Sequence, residues 1–310
     1  MNRSHIRMGL PGRAFSFFCF VLFITSLVTP TLQGQETTHQ GQDVVDSRVT
    51  ESAQAVAAPD ENVSGDEQNP GPPIQNNPDP AATYQPVTWK NLPVRILGDQ
   101  KEVWLFPFHL AQGQHLLPTV AVVGVTGGLM AADSHIMVHL RNTTAFDEFD
   151  EIFSGTNTGI ATALIPATFY IYGLARKSSY AQQTALLAGE AYADSAIPEV
   201  VMKIVSRRLR PSAVPPTSNY TDTFFQSKVS VFGKGSSFPS GHAAAIFSVA
   251  TVIAERYRQH RWVPWVMYGL AGAISFSRVP TFAHFPSDVF IGAALGYTIT
   301  RFDVLRDRTR

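Results

Sequence analysis

The sequence predicts an all-α protein, a compact helical bundle of about six core helices with its chemistry where helix ends converge. Three observations carry this. From about residue 116 onward the chain runs in long apolar stretches rich in Ala and Gly. None of them alternates apolar and polar residues as a half-buried strand would. The residues able to do chemistry gather in three short clusters at the stretch boundaries, beside a Pro or Gly that stops or starts a helix. The helical segments are expected at about 116–132, 159–175, 180–205, 241–258, 262–276 and 287–302.

The chain before them divides in two. Residues 1–34 read as an export signal. Arg3, Arg7 and Arg13 make a basic start, Ala14 to Val28 is apolar, Thr29-Pro30 breaks the run, and Gly34 is a small residue for cleavage. That run falls short of the ~20 residues of a membrane span. Residues 35–88 are rich in Gln, Asn, Asp and Pro, with too few large apolar side chains to repay the entropy of ordering; they read as a disordered linker. Residues 89–310 then form the helical domain. Its first part, Trp89 to Gln114, is aromatic and unpatterned, and is expected to pack as an arm across the bundle.

Composition narrows the function. The chain has 310 residues, 45% of them hydrophobic, enough to bury a sizeable core. Its formal charge of zero hides a division: residues 35–89 carry nine acids against Arg48, and the remainder from Lys90 keeps 20 basic and 15 acidic residues. Such a mild excess suits an anionic small substrate or membrane surface, and no nucleic-acid motif accompanies it. Cys19 is the only cysteine and lies in the signal, so no thiolate metal site, disulfide framework or cysteine nucleophile is expected in the domain. The uncharged helical cores, such as 159–175 and 262–277, look short for lipid, and the segment with Glu190, Asp194, Glu199 and Lys203 carries a heavy polar load. Buried helices of a compact bundle are the simpler expectation, with a membrane bundle as the alternative.

Three clusters hold the candidate site. In the first, Lys203 and Arg210 stand seven apart, two helical turns on one face, and Pro211 ends the helix. Basic residues there either complement the helix dipole or bind an anion. In the second, Pro239-Ser240-Gly241-His242 opens an apolar helix. Ser240 suits an N-cap, Gly241 lets backbone approach a ligand, and free amides at a helix start attract anions. His242 beside them is either incidental or a proton donor. In the third, Ser277 to Asp288, Arg278 offers a planar fork, and His284 and Asp288 share a helical face four residues apart. That pair is either structural or a carboxylate-oriented imidazole. Arg207 reads as a surface or rim charge.

Taken together, the clusters match Lys-x6-Arg-Pro, Pro-Ser-Gly-His and Ser-Arg-x5-His-x3-Asp, in order. Over about residues 115–302 the chain thus resembles the type 2 phosphatidic acid phosphatase superfamily, which includes class A bacterial acid phosphatases, lipid phosphatases and vanadium haloperoxidases. The resemblance implies that His284 attacks phosphorus and forms a phosphohistidine. Asp288 would orient it, and His242 would protonate the leaving alcohol and then activate water. Lys203, Arg210 and Arg278 would hold the phosphate oxygens, with Ser240 and Gly241 completing the cradle. No metal or other cofactor is implied, except vanadate in the haloperoxidase reading. The expected substrate is a phosphate monoester, alternatively a lipid such as phosphatidate or a polyprenyl pyrophosphate. Membrane members of the superfamily carry six helices with the site on the outer side. A cleaved signal followed by six spans would put Lys203 and Arg210 on the inner side, so a soluble exported enzyme of the periplasm or envelope is expected, and an integral membrane enzyme is the alternative.

Overall fold

The computed structural model describes residues 86–306, apart from 147–148, 150–151, 154, 216 and 230–234. The signal and nearly all of the linker expected from the sequence lie outside the described residues. Seven α-helices follow in order: α1 Leu92–Ala111, α2 Leu116–Arg141, α3 Gly155–Ala175, α4 Ser179–Ser206, α5 Gly241–Arg256, α6 Trp262–Phe276 and α7 Pro286–Ile299. A short 3-10 turn, Pro211–Ala213, and a closing π turn, Thr300–Val304, complete the described elements, and no strand is among them. Helices α2 to α7 match the six expected segments. The aromatic arm differs: Leu92–Ala111 is a helix in its own right, begun with proline in its first turn.

Helix α5 is the axis. Ala243, Ala244, Ala250 and Ala254 let its neighbours approach closely, and it is buried along nearly its whole length. Around it, Ile165 and Phe169 of α3, Leu187 and Ala191 of α4, and Met267 and Ile274 of α6 form one apolar core with Ile246, Val249 and Ile253. Helix α7 comes closest. A Cβ at Gly292 would lie 2.3 Å from the Ser240 carbonyl oxygen, and one at Gly296 would lie 2.2 Å from that of Ala244. Two glycines one turn apart on α7 therefore set its backbone against the start of α5, as small residues do at close helix crossings.

Helix ends follow from local chemistry. Ser178 and Ser240 cap α4 and α5, their hydroxyl oxygens accepting from the backbone amides of Ala181 and Ala243. The Asp288 carboxylate accepts from the Phe285 amide at 2.8 Å and fastens the start of α7. Helix α4 does not continue to Arg210 as its spacing suggested. It stops at Ser206, where Arg207 takes the left-handed conformation with φ 46°.

The polar load of α4 is turned inward. Glu190 and Asp194 are fully buried, and Arg95 and Gln100 of α1 bond to them. The outer faces of α2 and α3 are largely apolar instead. Helix α2 has 26 residues and α3 has 21, and both are long and apolar enough to cross a membrane, contrary to the shorter spans expected from sequence. The most apolar stretch of α2 is only 11% buried, so it is not the core helix of a bundle. Leu117, Val120 and Val123 on α2 and Ile171 on α3 face outward with no described residue over them. A Gly296→Val substitution should force α5 and α7 apart and destabilise the fold by about 3 kcal/mol. Thermal unfolding in detergent measures this, and Gly269→Ala, which meets no atom within 4 Å, is the control.

Candidate active site

The three clusters meet because they sit at one end of the bundle: the C-terminal end of α4 and the loop after it, the start of α5, and the loop into α7. Lys203, Arg210, Gly241, His242 and His284 line one cavity of about 400 Å³. Gly241 is needed there for space. A Cβ on it would lie 2.7 Å from Glu199 Oε1 and 3.4 Å from Lys203 Nζ. Glu199, one turn before Lys203, forms an ion pair with it inside the cavity. Arg210 reaches the same cavity from extended backbone rather than from a helix face, and its guanidinium donates to the Ala283 carbonyl at 3.2 Å. His242, in the first turn of α5, lies across from Gly159 of α3, where a Cβ would stand 3.6 Å from Nε2.

His284 is 2% exposed, and its Nδ1 lies 2.7 Å from the Ser237 carbonyl oxygen. A carbonyl can only accept, so in the neutral ring Nδ1 carries the proton and Nε2 keeps a lone pair. Burial holds the imidazole below the ordinary histidine range, and the positive charges of Arg210 and Lys203 act the same way against the opposing pull of Asp288. The ring is therefore a free base in neutral water. Asp288 Oδ2 is 3.8 Å from Nδ1, too far for the direct hydrogen bond expected from sequence. It acts one step back, accepting from the Ser237 hydroxyl at 2.6 Å and so fixing the residue whose carbonyl holds the histidine.

Arg208 is the functional residue that sequence reasoning missed. It is buried, and one nitrogen donates to Asp288 Oδ1 at 2.6 Å and to Ser287 Oγ at 2.8 Å. Another donates to Asp133 Oδ2 of α2 at 2.7 Å, and Nε donates to Thr223 Oγ1 at 3.1 Å. The Phe285 and Phe224 rings cover the guanidinium, with centroids 3.9 and 4.6 Å away. Asp133 in turn accepts from the amide and hydroxyl of Ser287. The signal available was three arginines in a row of four residues, with only the last accounted for. Arg207 is exposed, as expected of a rim charge.

Ser240 and Asp288 stand behind the cavity wall. Arg278 is buried away from it, donating to the Ser277 hydroxyl at 2.8 Å and to the Phe153 carbonyl. The geometry thus gathers Lys203, Arg210, His242 and His284 around one space, and Arg278 is not among its lining residues.

Below the polar end the cavity continues as an apolar slot between α3, α4 and α5. Its walls include Ala163, Pro166, Ala188, Gly189, Tyr192 and Val249. From Lys203 to Gly189 along α4 is about 21 Å at the rise of an α-helix. Replacing Arg208 by Met should leave two buried carboxylates without their cation, at a cost of about 3–5 kcal/mol in unfolding free energy. Arg207→Met, one residue away and exposed, should change stability by less than about 0.5 kcal/mol.

The family model described as the PAP2 superfamily matches residues 184–307. A solved structure described as the first transmembrane PAP2-type phosphatidylglycerolphosphate phosphatase, from Bacillus subtilis, aligns with a TM-score of 0.40 at 20% identity. The alignment covers 68% of this chain and 99% of that one. No curated protein matches the chain. Residues 184–307, the span that holds all three clusters, are thus similar to the PAP2 superfamily.

Proposed function

We propose that this protein is a membrane-seated phosphatase that cleaves phosphate from a lipid-like ester through a phosphohistidine. The observation that carries the substrate class is the cavity itself, cationic at one end and mostly apolar toward the other, about four helical turns of α4 from Lys203 to Gly189. A water-soluble ester would leave that slot wet, whereas a single hydrocarbon tail fills it and keeps its phosphate at Lys203 and Arg210. The uncovered apolar faces of α2 and α3 support a seat in lipid, where a bulky acyl or prenyl substrate resides.

In this mechanism Nε2 of His284 attacks phosphorus in line, a P–N bond forms and the ester P–O bond breaks. His242 gives its proton to the leaving alcohol oxygen. Lys203, Arg210 and the amides at the start of α5 hold the non-bridging oxygens as charge moves onto them. A water then enters, loses its proton to His242 and displaces His284, releasing inorganic phosphate. Fixed cations supply the charge that a divalent metal supplies in other phosphoryl transfers, so none is required for the step. Ser240 shapes the cradle by capping α5, and Asp288 positions His284 through Ser237. Arg278, which donates to the Ser277 hydroxyl and the Phe153 carbonyl, would join the phosphate-holding set by turning toward the cavity.

Detergent-purified protein in buffer without divalent metal should release phosphate from phosphatidate with a kcat/KM at least tenfold above that for an aryl phosphate of matched concentration. Equal or reversed preference overturns the lipid assignment. His284→Ala should abolish both turnover and acid-labile phosphoenzyme, and label retained in that variant would remove His284 as nucleophile. Gly189→Leu is sharper still. A Cβ at Gly189 meets nothing within 4 Å, so the leucine grows into the slot without disturbing packing. It should raise KM for long-chain substrates about tenfold and leave aryl phosphate hydrolysis unchanged, by loss of apolar burial of the tail. Because burial lowers the proton affinity of His284, the acidic limb of kcat/KM should fall below the ordinary histidine range, activity being lost only as the ring finally protonates.

A further inference from the structure

Helices α1 and α4 enclose a second polar cluster, on the face of α4 turned away from the cavity. Glu190 and Asp194 stand one turn apart on α4, and Arg95 and Asp99 stand one turn apart on α1. Asp99, Glu190 and Asp194 are each at least 98% buried, and one oxygen from each lies within 4.8 Å of the others. Arg95 Nε donates to both oxygens of Glu190, at 2.8 and 3.1 Å. Gln100 donates through Nε2 to the Asp194 carbonyl at 2.9 Å and to its Oδ1 at 3.1 Å. Two acceptors of this cluster, Asp194 Oδ2 and Gln100 Oε1, are buried and receive no hydrogen bond from any described residue.

Orphaned acceptors facing carboxylates in a dry interior are costly, and native structures rarely keep them without a donor or an ion. A proton on Asp194 would give one hydrogen bond to one acceptor. A cation serves several oxygens at once and also offsets the negative charge that the single guanidinium of Arg95 leaves over. The donors are all oxygen, carboxylate and amide carbonyl, which suits a hard cation and excludes the soft thiolate-loving metals. Oxygens supplied by four side chains from two helices make an irregular cage, which calcium accepts and magnesium, with its near-ideal octahedron of retained waters, does not. We propose that Asp99, Glu190, Asp194 and Gln100 bind a calcium-class divalent cation that fastens α1 to α4. The site lies about 14 Å along α4 from Lys203 by helical rise and takes no part in phosphoryl transfer.

The test uses the full chain in detergent, stripped with chelator and dialysed into metal-free buffer. Equilibrium dialysis with radioactive calcium should retain close to one ion per chain, and saturating calcium should raise Tm by about 5 °C. Magnesium at the same concentration should do little. Asp194→Asn keeps the shape and the Gln100 contact while removing charge, and should abolish both the retained ion and the Tm shift. Should that variant fail to fold, Gln100→Met removes one ligand oxygen and should weaken calcium binding about tenfold. Retention of no calcium by the wild type, or an equal Tm shift in Asp194→Asn or Gln100→Met, overturns the proposal and leaves the cluster held by protons. Both readouts are independent of hydrolysis, so their failure and failure of the phosphatase reading are told apart.

Discussion

The candidate-site end of this protein depends on one buried cation. The Arg208 guanidinium joins Asp133 on α2, Ser287 and Asp288 on α7, and Thr223 in the long connection between α4 and α5. Each of those segments carries, or lies against, a residue of the site. Asp288 fastens the start of α7 and, through Ser237, the carbonyl that sets the His284 tautomer. Two carboxylates this deep are costly to bury without a cation between them, and without that cation the loop ends would lose their common anchor. Arginine suits the place because its planar fork reaches partners in several directions while its faces stack on Phe285 and Phe224.

The same division of charge governs the whole bundle. Polar groups are gathered inside, at the catalytic end and between α1 and α4, and the outer faces of α2 and α3 are left apolar. An apolar outer face is costly against water and costs nothing against another apolar surface. Helix α1 makes it workable. By supplying Arg95 and Gln100 it answers Glu190 and Asp194, the residues that made α4 look too polar for lipid when read alone.

The six helices α2 to α7 and the three clusters were legible in the sequence because both are local. Apolar runs, a capping Ser240, a stopping Pro211 and fixed offsets between Lys203 and Arg210 or His284 and Asp288 all lie within two helical turns. Helix α1 was not legible: its apolar residues follow no clean helical stripe, and its polar ones, Arg95, Asp99 and Gln100, only make sense once α4 is beside them. Arg208 and Asp133 are 75 residues apart in sequence and were invisible for the same reason. The expected helical route from Lys203 to Arg210 failed because Arg207 turns left-handed, an ending that no proline or glycine announced.

The sequence by itself determined which residues could do phosphoryl chemistry and the kind of helices that carry them, since charge type, capping and apolar period are properties of short segments. The tertiary structure decided which of those residues share a space. It set Lys203, Arg210, His242 and His284 around one cavity and Arg278 behind the Phe153 carbonyl. It put the Ser237 carbonyl, not Asp288, on Nδ1. It also opened the mostly apolar slot below the cationic end of the cavity and turned Glu190 and Asp194 of α4 inward against α1. Such outcomes rest on contacts between segments far apart in the chain, where burial and the pairing of charges are settled only when the helices pack.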